Sequence, residues 1–392
     1  MKKKLGIFAL ALVLALGMGA GLAYWFTDQT ADSEPLKAVS SSSSSVVSQV
    51  KPKVKAPRKK TTVIKNTAAT RKIDAILQAN RFVGTAYVVR NGKPVYQQGF
   101  GYADATLQRK NNANSVYQLA SVQKSFTAGL IMKLASERKL ALTDNLAKYY
   151  PQIAGASQIT LRDMLDMKSG LTLVAFPNSL SSENGMIKFV LKHVISQPAR
   201  IGRWDYSPVN FMLLAGIIQE VTGQSYRQYF TENILQPWKL QHSGFVFNMS
   251  KESDYTRGYQ NNDVTSVVPN YASRYFESKA SMYYQFGTGQ VYMSAKDLYT
   301  GERNMLQGKL YPKADVNTLL VPGSTSGYGG GVYNQGNYIR VHGLAYGYEA
   351  TALLSRDGQD GVVLLSNYYR ANQLSQTPAI QIWNLLEAGQ LN

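Results

Sequence analysis

Ser121 and Lys124 lie three positions apart in the stretch QLASVQKSFTAG. A serine hydroxyl is a poor nucleophile unless a neighbouring base takes its proton. A lysine can be that base if burial and neighbours keep it neutral. On a helix this spacing puts both side chains on one face. A helix N-terminus also directs backbone N–H groups at a developing oxyanion. The same two residue types recur at the same spacing at Ser48 and Lys51, inside a Ser- and Lys-rich stretch, and serine is a common N-cap. Spacing alone leaves two readings open: a nucleophile with its base, or an ordinary polar pair at a helix start.

Other chemistries are poorly supplied. The 392 residues include no cysteine and three histidines. That excludes a Cys nucleophile, a disulfide scaffold and a zinc ribbon. His193, His242 and His342 are too scattered to form a metal-ligand set, so no metal and no cofactor is expected. A G-x-S-x-G nucleophile elbow is absent, because GSTSG carries Thr325 at its centre. The net charge of +18 is strongly basic, and much of it sits in the N-terminal KPKVKAPRKK region. A basic surface suits a polyanionic partner. Nucleic acid is not the expected one, because an export signal precedes the basic stretch.

That signal is the opening MKKK followed by an uncharged run, residues 5–26. As a helix the run matches a hydrocarbon core of roughly 30 Å. Tyr24 and Trp25 stand where interfacial aromatics belong, and the lysines mark the cytoplasmic side. Residues 1–26 are expected to be a single-pass anchor with the rest of the chain outside the cell. A signal peptide cleaved near Ala23, giving a secreted protein, is the rival. Residues 27–68, with a serine run at 40–45 and the Lys/Pro stretch, lack any apolar period and read as an unstructured tether.

Residues 69–392 read as one globular domain. Ile73, Ile76 and Leu77 share a helical face, and Asn91-Gly92 is a hairpin signal between two apolar stretches. Thr160 with Asp163 forms a capping-box pattern, and Gly170 ends that helix. Ser207 as N-cap with Pro208 at the first helical position opens a helix that Gly223 closes. Ser225 and Ser294 cap further helices. GGGVYN with NYIRVHG, and EATALLS with GVVLLSN, read as late hairpins before a last amphipathic helix. Strands early and late must share one sheet across a helical middle. The expected class is α+β, an antiparallel sheet flanked by terminal helices with an inserted all-helical subdomain.

The order of three motifs decides between the readings of Ser121. Ser121-x-x-Lys124 is followed by Tyr206-Ser207 at a helix start, and then by a strand ending in His342-Gly343. This series resembles the serine β-lactamase-like and penicillin-binding family. The segments GKPVYQQGFGYAD, MLDMKSGL, FMLLAGIIQEVTGQSY and GTGQVYMSAKDL are similar to family segments in the same order. The resemblance implies that Ser121 is acylated and that Lys124 and Tyr206 share the proton work. A Tyr206 phenolate beside a charged lysine is one form of that sharing. It further implies an oxyanion hole made by the backbone N–H groups of Ser121 and Leu344.

Two departures bear on the substrate. The family's second motif commonly reads Tyr-x-Asn, whereas Pro208 holds the third position here and Asn210 lies further on. The third motif commonly begins with a cation, whereas Val341 stands there, with Arg340 and His342 on either side. Strand alternation puts Arg340 and His342 on one face, so together with Gly343 they are the candidate substrate-binding residues; a structural strand histidine is the other reading of His342. Both departures fall where the family holds an amide and a free carboxylate. A D-alanyl ester of teichoic acid has neither, and the segments GLIMKLASERKLALTDNLAKYYP and WKLQHSGF look like the branch that removes D-alanine from teichoic acids. The expected activity is hydrolysis of D-alanyl esters of lipoteichoic acid or another anionic wall polymer. The alternatives are a DD-carboxypeptidase acting on peptidoglycan stem peptides and a non-catalytic polymer-binding protein.

Overall fold

Asn91 and Gly92 both take positive φ, 49° and 71°. That geometry, a type I′ turn, lets a two-residue turn follow the right-handed twist of its strands. The turn joins β1 (Gly84–Arg90) to β2 (Lys93–Phe100), with Arg90 opposite Lys93. A computed structural model describes residues 67–261 and 268–391. Within them the late strands are β3 (Tyr328–Gly329), β4 (Val332–Asn334), β5 (Tyr338–Ala345), β6 (Tyr348–Ser355) and β7 (Gly361–Ser366). They join the first hairpin in a seven-stranded sheet of order β3-β4-β5-β6-β7-β1-β2. Every neighbour in it is antiparallel.

The sheet is covered on both faces, and the period-2 alternation of β1 shows how. Ala86 and Val88 point into a cluster with Leu353, Val362 and Leu364. That cluster is closed by Ile73 and Leu77 of α1 (Ala68–Ala79) and by Ala379, Ile382 and Trp383 of the last helix, Gln376–Glu387. The two ends of the chain thus share one apolar layer, as the face Ile73-Ile76-Leu77 predicted. On the other side Tyr87 meets Tyr299 edge-on, with ring centroids 5.8 Å apart. Tyr299 belongs to the helix Ala295–Leu306, which Ser294 caps.

The inserted middle is mainly helical. It includes α2 (Gln123–Ser136) and α3 (Leu161–Leu165), the latter opened by the Thr160–Asp163 capping box. It also includes α4 (Glu183–His193) and α5 (Val209–Thr222), which Gly223 ends in the left-handed conformation. Short strands accompany the helices. Val116–Gln118 pairs with Val291–Ser294, which in turn pairs with Ser243–Phe245. Gln118 stands just ahead of Ser121, so this small sheet anchors the chain that leads into the first motif.

Three expectations need correction. The helix that Thr160 caps ends at Leu165 with Asp166 as its C-cap, so Gly170 does not end it. Ser207 does not cap α5: Pro208 takes the N-cap place, without a side-chain hydrogen bond to the helix. The single-pass membrane placement is withdrawn. Among the described residues no helix is long and apolar enough to cross a membrane. The longest have 14 residues, about 21 Å of helix against a hydrocarbon core of roughly 30 Å. Residues 1–26, and the tether as far as residue 66, lie outside the described residues.

Candidate active site

The strand Val116–Gln118 passes through Leu119 into a single 3₁₀ turn, Ala120–Val122, before α2 begins at Gln123. Leu119 donates its N–H to Val291 O at 2.8 Å, which ties the turn to the small sheet. Ala120 adopts φ 47°, a left-handed conformation that costs an L-residue about 1–2 kcal/mol. Strain of this kind persists where the surroundings over-determine it. Here it lifts Ser121 out of the strand and presents it at the mouth of a buried helix.

Lys124 stands one turn on and is 1% exposed. Its Nζ lies 2.7 Å from Ser121 Oγ. Burial lowers the lysine to about 7, far below its ordinary value of 10.5. The physical cause is desolvation, which penalises the ammonium. A lysine so placed is substantially neutral near pH 7 and can accept the serine proton. Beneath it, Ser125 Oγ lies 2.8 Å from Val122 O and 2.5 Å from Glu302 Oε1. Burial pushes the Glu302 carboxyl up to about 8, so it is mainly protonated at neutral pH.

Tyr206 approaches from the segment before α5. Lys124 Nζ is 5.2 Å from the centroid of its ring. Burial pushes the phenol up to about 12, and a hydrogen bond with Ser121 pulls it partly back. The phenolate form considered from sequence is therefore disfavoured. The arrangement that fits is a neutral Tyr206, a neutral Lys124, and the Ser121 hydroxyl between them. Tyr206 also meets Tyr328 edge-on at 5.9 Å, and Tyr328 meets Tyr333 at 5.0 Å.

Strand β5 reaches the same serine through its glycine. A Cβ on Gly343 would fall 2.2 Å from Leu119 O and 2.7 Å from Ser121 N, so no side chain fits there. Leu344 follows directly in β5. Alternation along β5 buries Val341 and Gly343 on this face and leaves Arg340, His342 and Leu344 on the other.

Arg340 and His342 do share a face, as expected, but they are engaged away from Ser121. Arg340 Nη1 donates to Gln376 Oε1 at 2.7 Å, and its guanidinium stacks 4.3 Å from the Tyr333 centroid. His342 Nε2 lies 3.0 Å from Glu349 Oε1, which also accepts the N–H of Ser375 at 2.9 Å. The structure therefore brings Ser121, Lys124, Tyr206 and Gly343 together and leaves the expected Arg340–His342 clamp without that juxtaposition. The pair stitches β5 to β6 and to the start of the last helix. His193 and His242 are ordinary, as read: His193 Nδ1 is 2.9 Å from Phe189 O, and the His242 N–H donates to Asp297.

Asn210 does not replace the missing motif asparagine. Its Oδ1 accepts from Ser169 Oγ at 2.5 Å and its Nδ2 donates to Ser207 O at 3.0 Å. Both ends of the amide are spent within the protein. Sequence reasoning missed the left-handed Ala120, since alanine carries no signal for it. It also missed Tyr328 and Tyr333, which meet Tyr206 and each other only through tertiary packing.

Comparison with known proteins shows the family. The sequence model of the Beta-lactamase family matches residues 69–387. The chain is 33% identical over 325 residues to the putative penicillin-binding protein PbpX of Bacillus subtilis, covering 83% of this chain and 80% of that one. It is 30% identical over 272 residues to a teichoic acid D-alanine hydrolase of Staphylococcus aureus, covering 69% and 66%. The crystal structure of FmtA from Staphylococcus aureus superposes with a TM-score of 0.74 at 26% identity, over 85% of this chain and 90% of that one. D-amino acid amidase from Ochrobactrum anthropi shares the fold, with a TM-score of 0.68 at 17% identity over 83% and 100%.

Proposed function

The chain is a serine hydrolase of the Beta-lactamase family, and we propose that it removes D-alanyl esters from teichoic acid through an acyl-enzyme on Ser121. One observation carries the reading. The nucleophile–base pair is in place at 2.7 Å, while the groups that would hold an amide and a free carboxylate are absent or spent. Pro208 and the turned-in Asn210 offer no free amide, and Val341 is buried where a cation would stand. An ester with an esterified carboxyl needs neither. The similarity to the teichoic acid D-alanine hydrolase of Staphylococcus aureus supports the same choice.

Ser121 Oγ attacks the ester carbonyl as its proton passes to Lys124 Nζ. The N–H groups of Ser121 and Leu344 hold the oxyanion. The C–O bond to the polymer then breaks, and the leaving oxygen takes a proton from the Lys124–Tyr206 pair. Water attacks the alanyl-serine ester as its proton passes to that pair, the C–Oγ bond breaks, and the pair returns a proton to Ser121 Oγ as D-alanine is freed. The anionic polymer meets a basic protein, with a net charge of +18, so binding weakens as salt rises.

The test is release of D-alanine from lipoteichoic acid by the full chain. Wild type should release it and Ser121→Ala should not; no release by wild type contradicts the reading. The 33% identity to a putative penicillin-binding protein favours a second reading, DD-carboxypeptidase activity. Cleavage of a D-Ala-D-Ala pentapeptide, with penicillin labelling Ser121, would select it.

A further inference from the structure

Glu277 is a part-buried carboxylate close to the nucleophile turn, and the reaction scheme gives it no task. It is held by two amides. Gln285 Nε2 donates to its Oε1 at 2.7 Å, and Gln118 Nε2 lies 3.4 Å away while donating to Gly289 O at 3.1 Å. Gln118 belongs to the strand that runs into the Ser121 turn. A Cβ at Gly289 would lie 2.2 Å from Gln285 Oε1 and 3.2 Å from Ala120 Cα. Both glutamines therefore tie Glu277 to the backbone on which Ser121 is mounted. Tyr346, two residues beyond Leu344, has its phenol raised by burial and further by the charge of Glu277. Glu277 is thus tied by Gln118 to the strand that leads into the nucleophile turn and lies within electrostatic reach of Tyr346, at the end of β5.

Among the described residues no cation pairs with it, and burial pushes its carboxyl up to about 8. Two neutral amides are a weak counterpart for a buried carboxylate, which is costly to leave unpaired. At that value it is mainly protonated while no cation is near, and a positive charge brought beside it would favour the ionised form. The acyl group of a D-alanyl ester carries one, an α-ammonium next to the carbonyl that Ser121 attacks.

We propose that Glu277 receives the α-ammonium of the D-alanyl ester and so selects aminoacyl esters over simple acyl esters. The inference rests on the D-alanyl ester reading of the site. The ammonium meets the carboxylate directly or across one water, while Gln118 and Gln285 hold the carboxylate in position. Binding restores the ionised form of Glu277, because an adjacent cation favours it.

The experiment compares D-alanyl-glycerol with propionyl-glycerol, the same ester without the ammonium, using the full chain. The readout is the ratio of kcat/KM for the two esters, which a general loss of folding does not move. Wild type should favour the D-alanyl ester. Glu277→Gln should lower the ratio roughly 10- to 100-fold, the range for a charge-assisted hydrogen bond, and Glu277→Asp should keep part of it. An unchanged ratio in Glu277→Gln, or no preference in wild type, overturns the inference and leaves the esterase reading intact. Wild type that releases no D-alanine from either lipoteichoic acid or the small ester overturns both.

Discussion

Helix α2 and strand β5 both reach Ser121, and they bring different kinds of group to it. The helix brings a side chain, Lys124, stripped of water and lowered to about 7. The strand brings backbone, with Gly343 pressed against Ser121 N and its own polar side chains turned to Gln376 and Glu349. Under the proposed function, proton transfer belongs to the helix, and no side chain of the strand is needed to hold a substrate carboxylate. Function can change within one fold in this way, because binding groups are lost without disturbing the nucleophile.

Replacing Lys124 breaks the helix side of that contrast most severely. Lys124→Ala should lower kcat/KM by about 10³- to 10⁴-fold, and Lys124→Arg equally, because a guanidinium keeps its proton. Steady-state release of D-alanine checks both. A milder loss would mean that another group takes the Ser121 proton.

Gly343→Ala tests the strand side through its backbone. The added Cβ must displace the turn at Leu119 and Ser121, and a misplacement of about 1 Å costs on the order of 100-fold in rate. Kinetics with a thermal melt separates misplacement from unfolding.

The pH profile follows from the helix side. Lys124 is lowered, so it loses its proton as pH rises through about 7. Below that point kcat/KM for propionyl-glycerol, which carries no ammonium for Glu277 to bind, should fall about tenfold per pH unit as the base becomes protonated. Above it the rate should level, because Tyr206 keeps its proton until about 12. A profile flat between pH 5 and 8 would sink the assignment.

Arg340→Ala and His342→Ala should have the smallest effects. Each removes a hydrogen bond within the fold, worth about 1 kcal/mol, and kcat/KM should change by less than about threefold. A large rise in KM with unchanged stability would restore them as substrate-binding residues.

The sequence showed these regions unequally, for physical reasons. Ser121 and Lys124 were legible because a three-residue spacing maps directly onto one helical turn. Tyr206 was legible only by its place in a series, since nothing local marks one tyrosine among 26. The Asn91-Gly92 turn and the Thr160–Asp163 cap are set by local backbone chemistry and read correctly. Asn210 and His342 were harder. Each has partners distant in sequence, Ser169 for one and Glu349 with the last helix for the other, and tertiary packing decided where they point. Glu277 shows the same limit, since its place beside the turn depends on Gln118.

The most direct measurement is mass spectrometry of the full chain quenched during turnover of D-alanyl lipoteichoic acid. The account predicts one alanyl group on the peptide containing Ser121, lost on standing as D-alanine is freed and absent from Ser121→Ala. D-alanine released by wild type with no adduct at Ser121, or with an adduct on another residue, would contradict it.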